Sequence, residues 1–365
     1  MDRAVFWILK ASVMQVDSSK AILFPLPMLV YVAVLCQFAG CGEPATIQPV
    51  PADEIEFSTS IDGTTWHLGK DGNLYRELDA AAWTLENKVF DPDEIRNSYV
   101  TENEVTYRIA PDDGRRFVTR NEIQESFEDL DEGITGLKQL LDEKRLLWGA
   151  LTLQSGETPE VADYVELRRA ILAGERDFAD CRVEPSRVQA HGGKGSVRFS
   201  APARPDDLIT CKASISCPLV YFRNGDDFWF EAAFYVEDSL PMTLVDLETE
   251  FVAEHPGIRL RLFPPGTLGA ELKALNKPQF RQPEDRSVQF PLNQWVVVKV
   301  HYHLSPTDGR IEIWQDGIQV LDSIGPTLPY PSAIYNSLEV GISSHHDSER
   351  GSTVYVDDLK ISSQP

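Results

Sequence analysis

Short runs of alternating apolar and polar residues fill the chain from about residue 177 onwards. In residues 228–236, for example, Phe228 and Phe230 alternate with Trp229 and Glu231. A period of two is typical of a β-strand with one buried and one exposed face, and the Gly, Pro and Asp residues between the runs indicate turns. This pattern predicts a mainly β domain over residues 177–365, in which two sheets pack face to face. The predicted strands are residues 196–200, 208–215, 228–236, 243–251, 257–263, 269–275, 288–290, 295–304, 310–314, 318–321, 338–343 and 354–361.

The preceding part of the chain combines two patterns. Residues 56–61, 73–78 and 104–109 are predicted strands with Asp-Gly turns between them. Two helices are predicted after these strands, and the second of them begins at Thr158 and ends at Gly174. We therefore expect residues 54–176 to form a smaller, acidic α+β region with a helical hairpin, which either packs on the neighbouring domain or joins two chains as a homodimer. The first helix is predicted from apolar residues at spacings of three and four, namely Ile123, Phe127, Leu130, Ile134, Leu137, Leu141, Trp148 and Leu151.

The N-terminus resembles an export signal. Lys10 and Lys20 precede an apolar run at residues 21–34, and small residues lead to Cys41. Because the Ala-Gly-Cys ending resembles a bacterial lipobox, we expect residues 1–40 to be a signal peptide, Cys41 to be lipidated and residues 41–53 to be a Pro-rich tether. Cleavage without lipidation and an uncleaved anchor are the alternatives, although the run is shorter than the roughly 20 apolar residues of a membrane span. The expected location is the outer membrane or the cell surface.

The charge of the chain excludes some partners. The formal net charge is −23, from 57 acidic and 34 basic residues, which argues against nucleic acid and leaves the lipid anchor as the expected route to a membrane. Export would permit disulfides. Cys211 and Cys217 lie too far apart along one predicted strand to bond with each other. The open alternatives pair Cys181 with one of them and leave one thiol over.

A sequence of motifs near the end of the chain resembles a known family. A strand led by Trp295 is followed by a turn, by a strand that ends in Trp314-x-x-Gly317, and by a last strand that contains Asp357 and Asp358. This order resembles the heparin-lyase and glucuronan-lyase group of polysaccharide lyases, over roughly residues 180–363. The resemblance implies a concanavalin A-like two-sheet jelly-roll sandwich for the C-terminal domain. It does not by itself imply the chemistry.

Four of the predicted strands, residues 228–236, 243–250, 257–263 and 295–304, pair an apolar face with a polar one. If these strands are neighbours in one sheet, their polar faces merge into one surface. Such a surface suits a glycan, because aromatic rings stack on sugars and basic side chains bind carboxylates or sulfates. The alternative is an ordinary solvated sheet face. The candidate substrate-binding residues are Trp229, Glu231, Arg261, Lys299 and Trp314.

The resemblance also implies a catalytic set that this chain departs from. Elimination from a uronate polymer needs a cation for the carboxylate, a base and an acid. Glu248 stands where the lyases have a base His, Ser343 where they have a Tyr, and Lys212 where they have an early Arg. The sequence therefore favours an exported lipoprotein that binds a polysaccharide, with an acidic polysaccharide as one candidate, and that lacks the usual lyase residues.

An active enzyme is the first alternative. A rearranged lyase site would use histidine as the base near neutral pH, and a glycoside hydrolase would use two carboxylates on one strand face. The candidate catalytic residues are His301, His303, Tyr235 and Arg259 for a lyase, and Asp246 and Glu248 for a hydrolase.

A structural role is the second alternative, in which a surface lipoprotein binds protein and its jelly roll contacts no sugar. The sequence requires no cofactor, but a structural calcium ion is a candidate. It would be held by Asp357 together with an acidic residue near the start of the domain, such as Asp177 or Asp180, because oxygen ligands suit Ca²⁺.

Overall fold

The computed structural model describes residues 46–61, 63–110, 114–128, 139–142, 145–152, 154–155, 170, 173–175, 181–205, 210–252, 255–274 and 277–365. The predicted signal peptide and residues 41–45 of the tether, including Cys41, lie outside the described residues, as do Asp177 and Asp180. The rest of the predicted tether is described, and its residues Thr46–Ile47 form a strand of the first unit. Among the described residues, no helix has both the length and the apolar character that crossing a membrane requires.

The chain divides into two compact units between Pro92 and Asp93. The sequence pattern places the boundary of the jelly roll at residue 177 instead. The strands of the first unit are β1 (Thr46–Ile47), β2 (Ile55–Ile61), β3 (Thr64–Gly69), β4 (Asn73–Asp79) and β5 (Ala82–Lys88), and a short helix, α1 (Pro92–Asn97), follows them. One-turn 3₁₀ helices span Ala52–Glu54 here and Glu284–Arg286 in the second unit.

The first unit is an antiparallel meander with the strand order β1-β5-β4-β3-β2. Ile61, Trp66 and Leu74 form its buried cluster. The turn between β3 and β4 depends on Gly72, which has a φ of +82° and whose Cβ would lie 2.0 Å from the carbonyl oxygen of Phe90. Only glycine meets both conditions at this position, which explains the Asp-Gly turn of the sequence.

The second unit contains the remaining strands. They are β6 (Tyr99–Glu102), β7 (Val105–Ile109), β8 (Arg116–Val118), β9 (Ile123–Glu125), β10 (Gln139–Asp142), β11 (Arg145–Leu151), β12 (Gln154–Ser155), β13 (Arg182–Ser186), β14 (Ser196–Ala201), β15 (Thr210–Cys217), β16 (Asp227–Glu237), β17 (Thr243–Glu248), β18 (Gly257–Phe263), β19 (Thr267–Lys273), β20 (Gln279–Phe280), β21 (Trp295–His303), β22 (Gly309–Gln315), β23 (Ile318–Gly325), β24 (Ser337–His345) and β25 (Ser352–Ser362).

Two large antiparallel sheets form this unit. Sheet I has the order β13-β14-β25-β16-β21-β22-β23, with β9 paired to β25. Sheet II has the order β10-β11-β15-β24-β17-β18-β19-β20, with β12 paired to β15. Strands β6, β7 and β8 form a separate small sheet. The mainly β prediction is confirmed, and the arrangement is consistent with a jelly-roll sandwich.

The core lies between the inner faces of the two sheets. Phe228, Phe230 and Phe234 of sheet I are almost completely buried, and burying each ring contributes about 1.5–3 kcal/mol. Gly341 of sheet II faces Phe199 of sheet I, because a Cβ on Gly341 would lie 2.8 Å from that ring. The absence of a side chain at Gly341 therefore lets the sheets approach closely.

The first helix of the predicted hairpin is wrong wherever its residues are described. Residues 123–125, 139–142 and 145–151 are strands β9, β10 and β11. In β11 the buried side chains Trp148 and Ala150 follow a strand period of two. Pairing with β15 and β25 supplies hydrogen bonds that outweigh the weak local helical preference. The second helix of the hairpin lies outside the described residues, apart from residues 170 and 173–174.

One predicted strand is also wrong. Residues 288–290 contain a single isolated bridge between Gln289 and Thr267 and no strand. Of the two apolar residues in this run, Val288 is partly exposed and Phe290 is buried, and the N–H of Phe290 donates to the carbonyl oxygen of Gly266. The alternation of apolar and polar residues at 288–290 therefore occurs without a strand.

Candidate functional site

The single polar surface expected from four strands is divided between the two sheets. Strands β16 and β21 are neighbours in sheet I, whereas β17 and β18 are neighbours in sheet II. Arg259 therefore lies on a different sheet from His301, His303 and Tyr235, so the structure does not bring the rearranged lyase set together. The outer face of sheet I carries Trp229, Glu231, Tyr235, Lys299, His301, His303 and Trp314, and the outer face of sheet II carries Asp246, Glu248, Arg259 and Arg261.

Stacked rings form the centre of the sheet I face. Trp229 and His301 are direct cross-strand partners, and their ring centroids lie 4.0 Å apart with only 9° between the planes. Trp314 continues the stack at 6.0 Å from Trp229. The Nζ atom of Lys299 lies 4.7 Å from the Trp229 ring centroid and 5.8 Å from that of Trp314. We call these four residues the aromatic cluster, and both of its indoles remain partly exposed.

His301 is held from both sides by carboxylates. Its Nδ1 lies 2.8 Å from Glu312 Oε2 and its Nε2 lies 2.8 Å from Asp227 Oδ1. Both ring nitrogens are therefore engaged by carboxylates, which fixes the orientation of the imidazole beside Trp229.

Asp227 completes this arrangement. Its Oδ1 also lies 3.1 Å from His303 Nδ1. Burial on its own would raise the pKa of Asp227, but the hydrogen bonds from His301 and His303 outweigh it and lower the pKa. The carboxylate is thus ionised at neutral pH and fixes both imidazoles beside the aromatic cluster.

A second group of rings lies further along the same face. Tyr235 contacts Trp295 and Tyr355, with ring centroids 5.6 and 5.9 Å apart. Trp229 and Tyr235 are six residues apart on β16 and thus about 20 Å apart. Between them, Glu231 has Lys299 and Lys360 as its cross-strand partners. A shallow recess beside the aromatic cluster is lined by Trp229, Phe230, Glu231, Lys299, Lys360, Ser362, Gln364 and Pro365.

Polar side chains on sheet II line up directly opposite one another across five strands. Asp246 of β17 is the register partner of both Glu339 on β24 and Arg259 on β18. Arg259 is opposite Glu271 on β19, which is opposite Gln279 on β20. We call these five residues the charged row. Asp246, Glu271 and Glu339 are each only 3% exposed.

The charges of this face are paired with one another. Lys212 Nζ lies 2.8 Å from Glu339 Oε2, and Ser214 Oγ donates to the other oxygen of Glu339. Glu271 pairs with Arg259 at 3.0 Å and also with Arg261. A further pair joins Lys273 to Glu248.

Asp246 is the most weakly paired carboxylate of the charged row, because its Oδ2 lies 3.9 Å from Lys273 Nζ. Its Oδ1 is buried and has no hydrogen-bond partner in the part of the chain that the structure describes. Burial, and then the charge of Glu248, raise the pKa of Asp246 to about 7, against the opposing effect of Lys273, Arg259 and Lys212. A carboxyl group that is partly protonated at neutral pH suits a general acid.

Sequence reasoning missed several residues of the sheet II face. Glu271 and Glu339 alternate with apolar neighbours in predicted strands, so their outward direction was readable from the pattern. His346 directly follows β24, and its Nε2 lies 2.9 Å from Ser344 Oγ. Burial and then the charges of Arg204 and Arg261 lower the pKa of His346. Ser343, at the position of the lyase Tyr, is buried in β24.

Asp357 accepts hydrogen bonds from three backbone N–H groups. Its Oδ2 accepts hydrogen bonds from the backbone N–H groups of His191 and Gly192, and its Oδ1 accepts one from Asp358 N–H. No cluster of three or more His, Cys, Asp or Glu side chains that could hold a metal ion occurs among the described residues. The calcium ion stays a prediction, and the observed role of Asp357 is to hold the loop at residues 191–192.

Comparison with known proteins gives structural likeness alone. No family model and no curated protein matches the chain. It is similar to an endo-β-1,4-glucuronan lyase from the fungus Trichoderma reesei, with 11% identity, 51% of this chain and 90% of that chain covered, and a TM-score of 0.42. It is also similar to an alginate lyase of polysaccharide lyase family 7 (10% identity, 59% and 94% covered, TM-score 0.36). An alginate lyase mutant in complex with an alginate trisaccharide is a third similar structure (11% identity, 66% and 98% covered, TM-score 0.33). At these low identities and TM-scores, a function has to be inferred from the residues of this chain.

Proposed function

We propose that this protein binds a polysaccharide through the outer face of sheet I. The observation that carries the proposal is the aromatic cluster, in which two partly exposed indoles stand nearly parallel at 6.0 Å with Lys299 beside both. Indole faces contribute large contact areas to a ligand, and a sugar ring offers a matching C–H surface. Solvated sheet faces seldom expose two Trp residues in contact.

The cluster is organised before any ligand binds. His301 is fixed by Glu312 and Asp227, and it in turn fixes the Trp229 ring by stacking. Little side-chain entropy is then lost on binding, which favours affinity. Lys299 and Lys360 supply cations for the carboxylate or sulfate groups of an acidic polysaccharide.

We further propose that the protein is exported and anchored through a lipid on Cys41, at the outer membrane or the cell surface. The support is the basic and then apolar N-terminal pattern that ends in Ala-Gly-Cys. Residues 41–45, which precede β1, would then connect the lipid to the first unit.

Affinity electrophoresis against a panel of neutral and acidic polysaccharides tests binding. We expect wild-type protein to be retarded by at least one polysaccharide, and Trp229→Ala and Trp314→Ala to lose this retardation. Ile318→Ala is the matched control, because Ile318 is an exposed apolar residue of the same sheet. Retardation by none of the panel would support the structural or protein-binding alternative.

A second candidate function is glycan cleavage on sheet II, favoured by the Asp246 pKa of about 7. Asp246 would donate a proton to the leaving oxygen, and Glu248 on the same strand face would act as base or nucleophile. New reducing ends measured on the same panel test hydrolysis, and absorbance of unsaturated uronate tests elimination. If either product forms with wild-type protein but not with Asp246→Asn, the protein is an enzyme. Binding without either product supports the first candidate alone.

A further inference from the structure

The second unit contains three buried cysteines that have no part in the proposed glycan binding. Cys181 directly precedes β13 of sheet I, whereas Cys211 and Cys217 are the second and last residues of β15 in sheet II. Their side chains are 6%, 0% and 0% exposed, and all three are thiols in the structure.

Two of these thiols are in contact. Strands β13 and β14 pack against β15, and this packing brings Cys181 within hydrogen-bond distance of Cys211. The hydrogen bond from Cys181 lowers the pKa of Cys211, so the folded protein holds the two side chains close together, as a disulfide between them requires.

Cys217 is in a different position. It lies six residues further along β15, about 20 Å from Cys211, beyond the reach of a disulfide. Burial raises its pKa to about 12, although the backbone N–H of Leu219 acts in the opposite direction. A buried thiol of this kind is unreactive.

We propose that Cys181 and Cys211 form a disulfide that joins sheet I to sheet II, and that Cys217 remains a thiol. The oxidant is a low-molecular-weight or protein disulfide of the thiol–disulfide exchange class. The Cys211 thiolate attacks it and displaces one thiol, and Cys181 then attacks the mixed disulfide and displaces the second. Two cysteine thiols and one oxidant disulfide thus give one protein disulfide and two oxidant thiols. Because both sulfurs are buried in the folded protein, the exchange takes place while the strands assemble.

The bond would close a loop over residues 182–210 and restrict the unfolded chain. It would also fix β15 at the edge of the charged row, where Lys212 and Ser214 contact Glu339. This inference is independent of glycan binding, since none of the residues involved belongs to the aromatic cluster.

Peptide mapping distinguishes the possible pairings, because trypsin separates the three cysteines. Cys181 is released in residues 177–182, Cys211 in residues 199–212 and Cys217 in residues 213–223, since Arg204 precedes a proline and is not cleaved. The full chain is refolded in a mixture of reduced and oxidised glutathione, alkylated and digested. We expect a peptide pair 177–182 with 199–212 that disappears on reduction, and an alkylated Cys217. Residues 177–182 joined to 213–223, or three alkylated cysteines, would overturn the proposal.

Thermal unfolding gives a second test. Reduction should lower the midpoint of the wild-type protein by roughly 5–12 °C, and Cys217→Ser should show the same decrease. Cys181→Ala should have the lower midpoint already and should not respond to reductant. An equal response of Cys181→Ala and wild type would contradict the bond, even if the cross-linked peptide were found in trace amounts.

Discussion

On the outer face of sheet I, Trp229, His301 and Trp314 stack on one another, and both indoles remain partly exposed. On the outer face of sheet II, Asp246, Glu271 and Glu339 are almost fully buried and pair with basic side chains of the same face. Both faces belong to the same sandwich and cover the same core.

The two faces differ in the interactions that their side chains can still make with a ligand. Aromatic rings that stack in pairs keep apolar surface available, so a ligand adds contacts without breaking any. The ion pairs of sheet II already satisfy each other, and a ligand would have to replace them at a considerable desolvation cost. This difference supports the proposal that sheet I binds the ligand, whereas the charged side chains of sheet II form mainly an ion-pair network.

Among the substitutions proposed here, removal of the Glu271 side chain should have the largest effect, which is on the free energy of unfolding. Glu271→Ala leaves Arg259 and Arg261, which are 14% and 15% exposed, without their shared partner. We expect the free energy of unfolding to fall by about 3–5 kcal/mol, measured by denaturant titration.

Glu231→Ala is the control for that experiment, because Glu231 is an exposed carboxylate on the other sheet and should change stability by less than about 0.5 kcal/mol. Equal effects of the two substitutions would mean that the network of sheet II contributes no more than a surface charge.

Asp246 should make stability depend on pH. The pKa of Asp246 is about 7 in the folded protein, against an ordinary value of 3.8, so between these values the folded state binds more protons than the unfolded state. Stability from this group is therefore present at low pH and is lost as the pH rises from about 4 to 7, by roughly 2–4 kcal/mol.

Asp246→Asn replaces the carboxyl with a neutral group of the same shape and should remove this dependence. Chemical denaturation from pH 4 to pH 8 measures it, with Glu231→Gln as the control. If the stability of wild type relative to Asp246→Asn did not fall over that range, Asp246 would already be ionised in the folded state.

The aromatic cluster should contribute most to affinity and little to stability. Trp229→Ala is expected to cost about 2 kcal/mol of binding free energy, or roughly 30-fold in Kd. The ligand is the polysaccharide of the panel that retards the wild-type protein. Isothermal titration calorimetry measures the affinity, with Ile318→Ala unchanged. A loss of affinity in Glu271→Ala but not in Trp229→Ala would assign binding to sheet II instead.

Substitution of Asp227, which orients His301 of the aromatic cluster, should have the smallest effect on stability and affinity. Asp227→Asn removes the charge that orients His301 and His303 but no group of the cluster itself. Asp227 is 43% exposed, so the stability change should be under about 1 kcal/mol, and the affinity should fall only a few-fold. A loss as large as that of Trp229→Ala would make Asp227 a ligand-contacting residue.

Alternation along the sequence was sufficient to assign side chains to faces. Trp229, Glu231 and Tyr235 share one side of β16, and Asp246 and Glu248 share one side of β17, as the period of two predicts. The neighbours of each strand were not predictable in this way. β17 pairs with β24, which is distant in sequence, and the choice of partner depends on packing of the complete sheets.

The predicted helical hairpin shows where the local sequence pattern fails to give even the type of secondary structure. The apolar residues from Ile123 to Leu151 fit a helical spacing, yet Trp148 and Ala150 are buried side chains of a strand, β11. Intrinsic propensity is weak compared with the hydrogen bonds that an open strand of a sheet offers. The local sequence pattern alone therefore could not predict that β11 pairs with β15 and that β9 pairs with β25.

Strand order within the two sheets has a consequence for synthesis of the chain on the ribosome. β24 lies between β15 and β17 in sheet II, and β25 lies between β14 and β16 in sheet I. A nascent chain that ends before residue 337 has the outer strands of both sheets but neither of the strands that join them. Each sheet is then split into two halves with exposed edges, which favour aggregation. The sandwich can close only after residue 362 has emerged, so the strand edges stay open to other chains until translation has passed that point.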